Sequence, residues 1–476
     1  MFPSLSDTET QLVSRKPDRY DILLVACLLL AFGLMAVMPF APHKYGDIDF
    51  HLDARTLTAA MRGSAPWSDV VITRAPGPVL YYLIPYLVIT PGSNDNTFWL
   101  SSFVWTMFWM SLSLLLIRRA GTYLGGPRTG LIAAGLILLS PFSVYYSYGI
   151  LAEPAAFVGI SVFVFGWARW QQTGQAMTGW WPRMWTGWAG LALFLLSRPN
   201  AVLVAGLAAL AGIWLWRRAR RREAMLALAF VMFSVCVLGL SGFLLSLQRG
   251  EKRGMQRELL ALVLVQGRYQ FRTETWDWRY WHKSNRADSR DFQDWENKLI
   301  ALDNQAREAG RYPPDLITEW VRQDALAHPW LTLKMAAVRL ITINLTFVNS
   351  LRADNFRLGP LRGSWLYYLL HAIINATNLV TLLSAILYFP WRRDAALWPL
   401  WSVWLGLIVF HALVYAEPRY MFPTQPVLAI AAAMWWRSPG KPGEVSGLHQ
   451  TSPDFTRLPE TSPGFPRLLR TSSAMR

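Results

Sequence analysis

Residues 22–40 read ILLVACLLLAFGLMAVMPF, an apolar run with no charged side chain in it. A hydrocarbon core about 30 Å thick needs about 20 apolar residues in helical form to cross it. This run meets that requirement, and similar runs recur along the chain: Phe98–Ile117, Leu131–Tyr146, Pro154–Trp167, Trp185–Leu196, Ala201–Trp216, Ala224–Leu247, Leu366–Leu387, Leu397–Val414 and Met421–Trp436. The runs are continuous and not alternating, which excludes a β-barrel. The expected fold is an all-α polytopic membrane protein of about ten transmembrane helices. Several runs are shorter than a full span, so they are expected to borrow flanking residues or to line wet cavities.

Composition agrees. Of 476 residues, 53% are hydrophobic and only 16% charged, with 25 Trp. A soluble domain carries nearer a quarter charged residues. A net charge of +16 suggests nucleic acid in a soluble protein. Here the arginines sit at the ends of apolar runs, so membrane topology accounts for most of them, with attraction to phosphate-bearing lipids as a secondary use. No nucleic-acid partner is expected. Cys27 and Cys236 lie inside apolar runs and are expected to be small core residues, neither a disulfide nor a metal pair. About twenty polar residues precede the first run, a poor match to a cleaved signal peptide, so that run is expected to be a retained anchor.

Between the first and second runs lies Tyr45–Tyr86, YGDIDFHLDARTLTAAMRGSAPWSDVVITRAPGPVLYYLIPY. It gathers Asp47, Asp49, Asp53, His51, Arg55, Arg62 and Arg74, with Trp67, Tyr81 and Tyr82 suited to a membrane interface. Acids, bases and rings against a membrane face make this loop a candidate site; a solvated loop anchoring its helices is the plainer alternative.

Arginine and lysine set the orientation. Arg15, Lys16, Arg19, Arg118, Arg119, Arg128, Arg169, Arg183, Arg217, Arg218, Arg220, Arg221, Arg222, Arg392, Arg393 and Arg437 alternate with the spans to mark one side, the cytoplasmic one. The expected organisation is a cytoplasmic segment 1–20, an N-terminal transmembrane module 21–249 whose outer loop 41–97 carries the site, an outer-face domain 250–350, C-terminal transmembrane helices 351–438, and a disordered cytoplasmic tail 439–476. Val79–Thr90 and Leu331–Val348 break the alternation when counted as spans and read as interfacial helices. The polar region Gly250–Trp330 reads as a small, mainly helical outer domain. The tail repeats TSPDFTRLPE from Thr451 as TSPGFPRLLR from Thr461.

Four clusters then fall on the outer face: Asp47 with Asp49; Glu153 in YSYGILAEPAAF; Arg198 in LSRPNAV; and Glu417, Arg419 and Tyr420 in YAEPRYMFP. Charges at membrane depth are expensive to leave unpaired, so they pair with one another or bind a charged ligand. The chain has no Walker loop, GxGxxG, HExxH, CxxC or GxSxG pattern, which argues against a nucleotide-driven pump and a zinc hydrolase. What it offers is carboxylates to act as base or metal ligand, and arginines to hold a phosphate.

The stretches GDIDFHLDARTLTAAMRG, PWSDVVITRAPGPVLYYLIPYL, LLSPFSVYYSYGILAEPAAF, LALFLLSRPNAVLVAGLAAL and EPRYMFPTQPVLAIAAA occur in the order seen in lipid-dependent membrane glycosyltransferases of the GT-C fold. The chain resembles the bacterial relatives of protein O-mannosyltransferases and of the lipid A aminoarabinose transferase, over the membrane portion from Tyr20 to about Trp436. The resemblance implies a GT-C-like helical bundle and a sugar donor carried on a polyprenyl phosphate. It also implies an envelope glycan, lipid or protein as acceptor, with transfer at the outer face of the bacterial inner membrane. It implies Asp47 as the acid near the reaction centre, Asp49 as its alternative, and Glu153 as the second acid. Arg74, in RAPGPVLYYL with Tyr82, matches the contact to the lipid phosphate, where the family often has Lys and a Pro-Pro pair. Arg419 and Tyr420 match a pair near the donor phosphate, and Arg198 joins the substrate-binding candidates. A divalent cation, Mg or Mn, is compatible with the acidic pair, although two carboxylates alone make a weak site. The alternative function is a multispan lipid or sugar transporter or flippase, whose usual internal repeats the chain lacks.

Overall fold

The computed structural model describes residues 18–37, 48–70, 72–90, 92–140, 147, 149–172, 184–198, 201–246, 255–273, 290–345, 365–392, 397–415 and 418–437. Among them are sixteen α-helices and no strand. In chain order these are α1 (Arg19–Val37), α2 (Ile48–Met61), α3 (Pro76–Leu87), α4 (Asp95–Gly125), α5 (Pro127–Leu139), α6 (Ala152–Gln172), α7 (Trp185–Ser197) and α8 (Val202–Arg217). They continue as α9 (Arg221–Ser246), α10 (Met255–Tyr269), α11 (Arg290–Glu308), α12 (Pro313–Ala327), α13 (Pro329–Leu345), α14 (Trp365–Arg392), α15 (Trp398–Leu413) and α16 (Gln425–Arg437). Contacts divide the chain into Met1–Arg437 and a separate unit, Ser438–Arg476, which lies outside the described residues, as do the duplicated tail and residues 1–17.

Each expected span holds a helix. Among the described residues two helices, Asp95–Gly125 and the Arg221–Phe243 part of α9, are long and apolar enough to cross a membrane by themselves. α4 runs 31 residues, about 46 Å at 1.5 Å per residue. Its start is capped by Asn94, which accepts from the Thr97 amide at 3.0 Å. Its end is set by Gly126 at φ +88°, a left-handed position that glycine takes without a Cβ clash, and Pro127 then opens α5 at once. Apolar side chains point outward in helical stripes: Leu100, Val104 and Phe108 on α4, and Met225, Leu228, Met232 and Val235 on α9. Water penalises such a surface, whereas lipid matches it. The chain is a polytopic helical membrane protein.

Three cores hold it. The largest joins α1, α4–α9 and α14–α16 around Phe157, Phe163, Trp167, Phe194 and Phe230. A second seats α2 and α3 on α4 and α6 through Phe50, Val79, Tyr82, Tyr86, Phe98 and Ala155. A third closes α10–α12 into a small helical unit around Val265, Trp295, Leu302 and Ile317.

The two odd apolar stretches form helices, α3 and α13, and the region 250–330 is helical where described. The run from Met421 opens with a 3₁₀ turn, Pro418–Thr424, and continues as α16. One expectation is corrected. Cys27 and Cys236 are free as expected, but they are exposed and not in the core. A thiol behaves as a small hydrophobe, so the lipid-facing surface accepts it as readily as an interior does.

Candidate active site

The first charged cluster is built on α2. Asp49 lies in its first turn and Asp53 one turn later, so both carboxylates share a face. Arg74 reaches back from the loop before α3 and pairs with Asp49, Nε to Oδ2, at 2.8 Å. Asp53 is buried and accepts from the Thr73 amide and the Thr73 hydroxyl, both at 2.7 Å. Burial pushes the Asp53 carboxyl up to about 6; the Thr73 hydrogen bonds act against that shift, the neighbouring Asp49 adds to it, and Arg74 opposes it. The helix is fastened to α3 from behind. His51 Nδ1 lies 2.6 Å from the Tyr86 hydroxyl, and Arg62 donates to the carbonyls of Tyr86, Leu87 and Ile89. Burial pulls the His51 pKa below its ordinary value.

The second cluster assembles three distant parts of the chain. Glu153, in the first turn of α6, is 1% exposed, and its Oε1 meets Arg198 Nη2 at 2.7 Å. Arg198 caps α7 and is itself buried, so it does not snorkel to water as an interfacial arginine would. Its guanidinium carbon sits 5.1 Å over the Tyr420 ring. Tyr420 stacks on His411 of α15 with ring centroids 4.5 Å apart, and His411 Nδ1 lies 3.0 Å from the Tyr415 carbonyl. Glu153, Arg198, Tyr420 and His411 thus form one continuous column.

The two clusters share a seam. Gly77, three residues beyond Arg74, abuts Ser197, the residue before Arg198. A Cβ at Gly77 would overlap Ser197 Oγ, the Ser197 amide nitrogen and the Leu196 carbonyl carbon. The glycine that separates the prolines of APGP therefore lets the N-terminus of α3 meet the end of α7. Tyr82 ties the same helix to the Glu153 turn: its hydroxyl donates to the Leu151 carbonyl at 3.0 Å and accepts from the Leu151 amide at 3.2 Å.

Of the residues singled out from sequence, Asp49 and Arg74 form one pair, and Glu153, Arg198 and Tyr420 form the column. Tyr82 is 0% exposed and its hydroxyl is engaged with the Leu151 backbone, so it braces the seam. Asp47, Glu417 and the side chain of Arg419 lie outside the described residues. Sequence reasoning did not select Thr73, His411 or Gly77. Only Gly77 left a signal, as an interruption in a Pro-Pro pair.

For a cation the described residues offer Asp49, whose Oδ2 is on Arg74, and Asp53, whose Oδ2 is on Thr73. No group of three or more His, Cys, Asp or Glu able to hold a metal occurs among the described residues. Asp47, the other acid of the pair, lies outside the described residues.

No family model and no curated protein matches the chain. Among solved structures it is similar to the archaeal oligosaccharyltransferase AglB from Archaeoglobus fulgidus, in complex with an inhibitory peptide and a dolichol-phosphate. The TM-score is 0.46 at 11% identity, over 88% of this chain and 50% of that one. It is also similar to ArnT from Cupriavidus metallidurans bound to undecaprenyl phosphate, with a TM-score of 0.38 at 14% identity, over 86% of this chain and 77% of that one. For ArnT in the apo state the TM-score is 0.37 at 14% identity, over 90% and 78%. The chain spans half the length of the AglB structure.

The contact of Gly77 with Ser197 thus lies three residues from the Asp49–Arg74 pair and one from the Glu153–Arg198 pair along the chain. Arginine is the side chain best suited to a phosphate. A carboxylate beside it is suited to accept a proton from an acceptor hydroxyl.

Proposed function

We propose that the chain is a GT-C-type membrane glycosyltransferase. It moves a sugar from a polyprenyl-phosphate donor to a hydroxyl of an envelope glycan, lipid or protein at the outer face of the bacterial inner membrane. The observation that carries this reading is the seam at Gly77 and Ser197, which sets the Asp49–Arg74 pair beside the Glu153–Arg198–Tyr420 column.

In the proposed reaction a carboxylate, Asp47 with Asp49 as its alternative, takes the proton from the acceptor hydroxyl. The acceptor oxygen bonds to the anomeric carbon as the bond from that carbon to the phosphate oxygen breaks. The electron pair leaves with the phosphate, so the products are the glycosylated acceptor and the polyprenyl phosphate. A single displacement of this kind inverts the anomeric centre. Arg74 and Arg198, with Arg419, hold the phosphate charge, which is worth more in a site that excludes water than in bulk solvent. Glu153 fixes Arg198, and Tyr420 covers it. The outward placement is supported by charge alternation. Glu153 starts α6 while Arg169 lies in its last turn, so the acid and the cytoplasmic arginine occupy opposite ends of one helix.

The test is transfer in reconstituted membranes, with a panel of polyprenyl-phosphate sugars offered to wild type and to Asp47→Asn. Wild type is expected to consume one donor and the variant to leave it intact. Full transfer by Asp47→Asn removes that residue as base and moves the role to Asp49. Failure of wild type to bind any donor overturns the glycosyltransferase reading.

A further inference from the structure

At the end of the bundle away from the seam, α8 and α9 meet in a turn that reads RRARRR from Arg217 to Arg222. The turn is tight. Ala219 takes the left-handed conformation at φ +57°, which an L-residue adopts at a cost and which glycine usually fills. Its amide donates to the Trp216 carbonyl at 3.0 Å and the Arg220 amide to the Leu215 carbonyl at 3.0 Å, the paired bonds of a Schellman cap. The backbone is thus fixed, and Arg217, Arg218, Arg220 and Arg221 project from it exposed. Arg222 lies back over the Trp170 ring, 4.5 Å from its centroid. That contact seats Trp170, in the last turn of α6, against the turn. Five arginines therefore line one turn, where Glu223 is the adjoining acid.

The depth of this patch is marked by rings. Trp214 and Trp216 are exposed beside the turn, and Trp185 is exposed at the start of α7. Exposed Trp settles at the level of lipid headgroups. Orienting a helix hairpin needs positive charge on one side, but not five arginines in six positions on a rigid turn. Basic clusters that directly adjoin a membrane helix attract anionic headgroups, and guanidinium groups take phosphate in paired hydrogen bonds. α6 is 21 residues long, about 30 Å at 1.5 Å per residue, so this patch lies a membrane thickness away from Glu153.

We propose that the Arg217–Arg222 turn is a docking site for the phosphate headgroup of an anionic phospholipid. It is distinct from the seam that carries the proposed transfer chemistry, and neither proposal depends on the other.

The full chain, purified in detergent, is titrated with dioleoyl-phosphatidylglycerol or dioleoyl-phosphatidylcholine, and bound lipid is counted by native mass spectrometry. Wild type is expected to hold the anionic lipid at least about tenfold more tightly, with the preference shrinking as salt rises. The triple variant Arg218→Gln, Arg220→Gln, Arg221→Gln is expected to lose that preference. Arg119→Gln with Arg128→Gln, which removes one exposed arginine from α4 and one from the first turn of α5, is expected to keep it. Equal wild-type affinity for the two lipids overturns the proposal, and so does an equal loss in both variants, which reduces the patch to general surface charge. Displacement of the lipid by millimolar inorganic phosphate assigns the site to a free anion and overturns the lipid assignment. A photo-crosslinking phosphatidylglycerol on wild type decides the matter without any variant. Labelling within 214–222 supports the site, and labelling confined to other segments refutes it.

Discussion

Removing Arg198 and Glu153 singly and together separates what the column does for the fold from what it does for the reaction. The pair is 2.7 Å apart with side chains 10% and 1% exposed, so neither charge has water to fall back on. Breaking such a pair from one side leaves a buried charge uncompensated, at about 3–5 kcal/mol. Arg198→Gln and Glu153→Gln should each lower stability by that order. The double variant has no orphan charge. It should be more stable than the sum of the single losses predicts, with a coupling of about 0.5–3 kcal/mol.

Activity should behave differently. With Arg198 as a phosphate holder, its loss removes a donor aimed at developing charge, a loss of about 100–1,000-fold in rate. The double variant lacks that donor too, so it should regain stability and remain slow. The assays are denaturant titration of the purified chain and donor consumption in proteoliposomes, run on the same four proteins. If the double variant regains transfer along with stability, Arg198 is only a structural partner for Glu153, and the phosphate role assigned to it is wrong.

Four further outcomes follow from the same geometry. Gly77→Ala should destabilise by about 1–3 kcal/mol through overpacking and depress transfer. Ser197→Gly should not rescue it, because the added Cβ also overlaps the Ser197 and Leu196 backbone; rescue by Ser197→Gly would show that the contact is only with the hydroxyl. Tyr82→Phe should cost about 1–3 kcal/mol by leaving the Leu151 carbonyl and amide without their partner, with the donor KM unchanged; a raised KM would return Tyr82 to the substrate. Asp53, with its carboxyl raised to about 6 by burial, favours folding most below its ordinary value and loses that contribution as pH rises to about 6. Asp53→Asn should flatten the stability change between pH 4 and 6, measured by thermal unfolding, and an unchanged profile would assign that titration elsewhere. Transfer should persist in EDTA, since Arg74 and Arg198 supply the positive charge; loss of turnover with recovery on adding Mg or Mn would show a cation site that includes Asp47.

How much of this was legible in the sequence depends on the kind of force involved. Apolar runs report burial in lipid directly, so the helices, the two extra helices α3 and α13 and the helical unit at 250–330 could be read in advance. Charges at run ends also signalled themselves, because a buried Glu153 or Arg198 is costly unless something answers it. What answers it could not be read. Nothing in LSRPNAV indicates that Arg198 turns inward to Glu153 and not outward to water, since both rotamers suit the same sequence. Cys27 and Cys236 were misjudged because periodicity cannot separate a lipid-facing from a core-facing position in a helix that is apolar all round. The bond Tyr82 makes was not legible because a hydroxyl beside a site signals a hydrogen bond without naming its partner, and the partner, the Leu151 backbone, is 69 positions away. The same limit explains Gly77. A missing side chain leaves no chemistry to interpret, and its meaning appears only when a second backbone is found in the space it leaves. The seam's position thus rests on the two residues with the least to show in sequence, one a hydroxyl turned to backbone and the other no side chain at all.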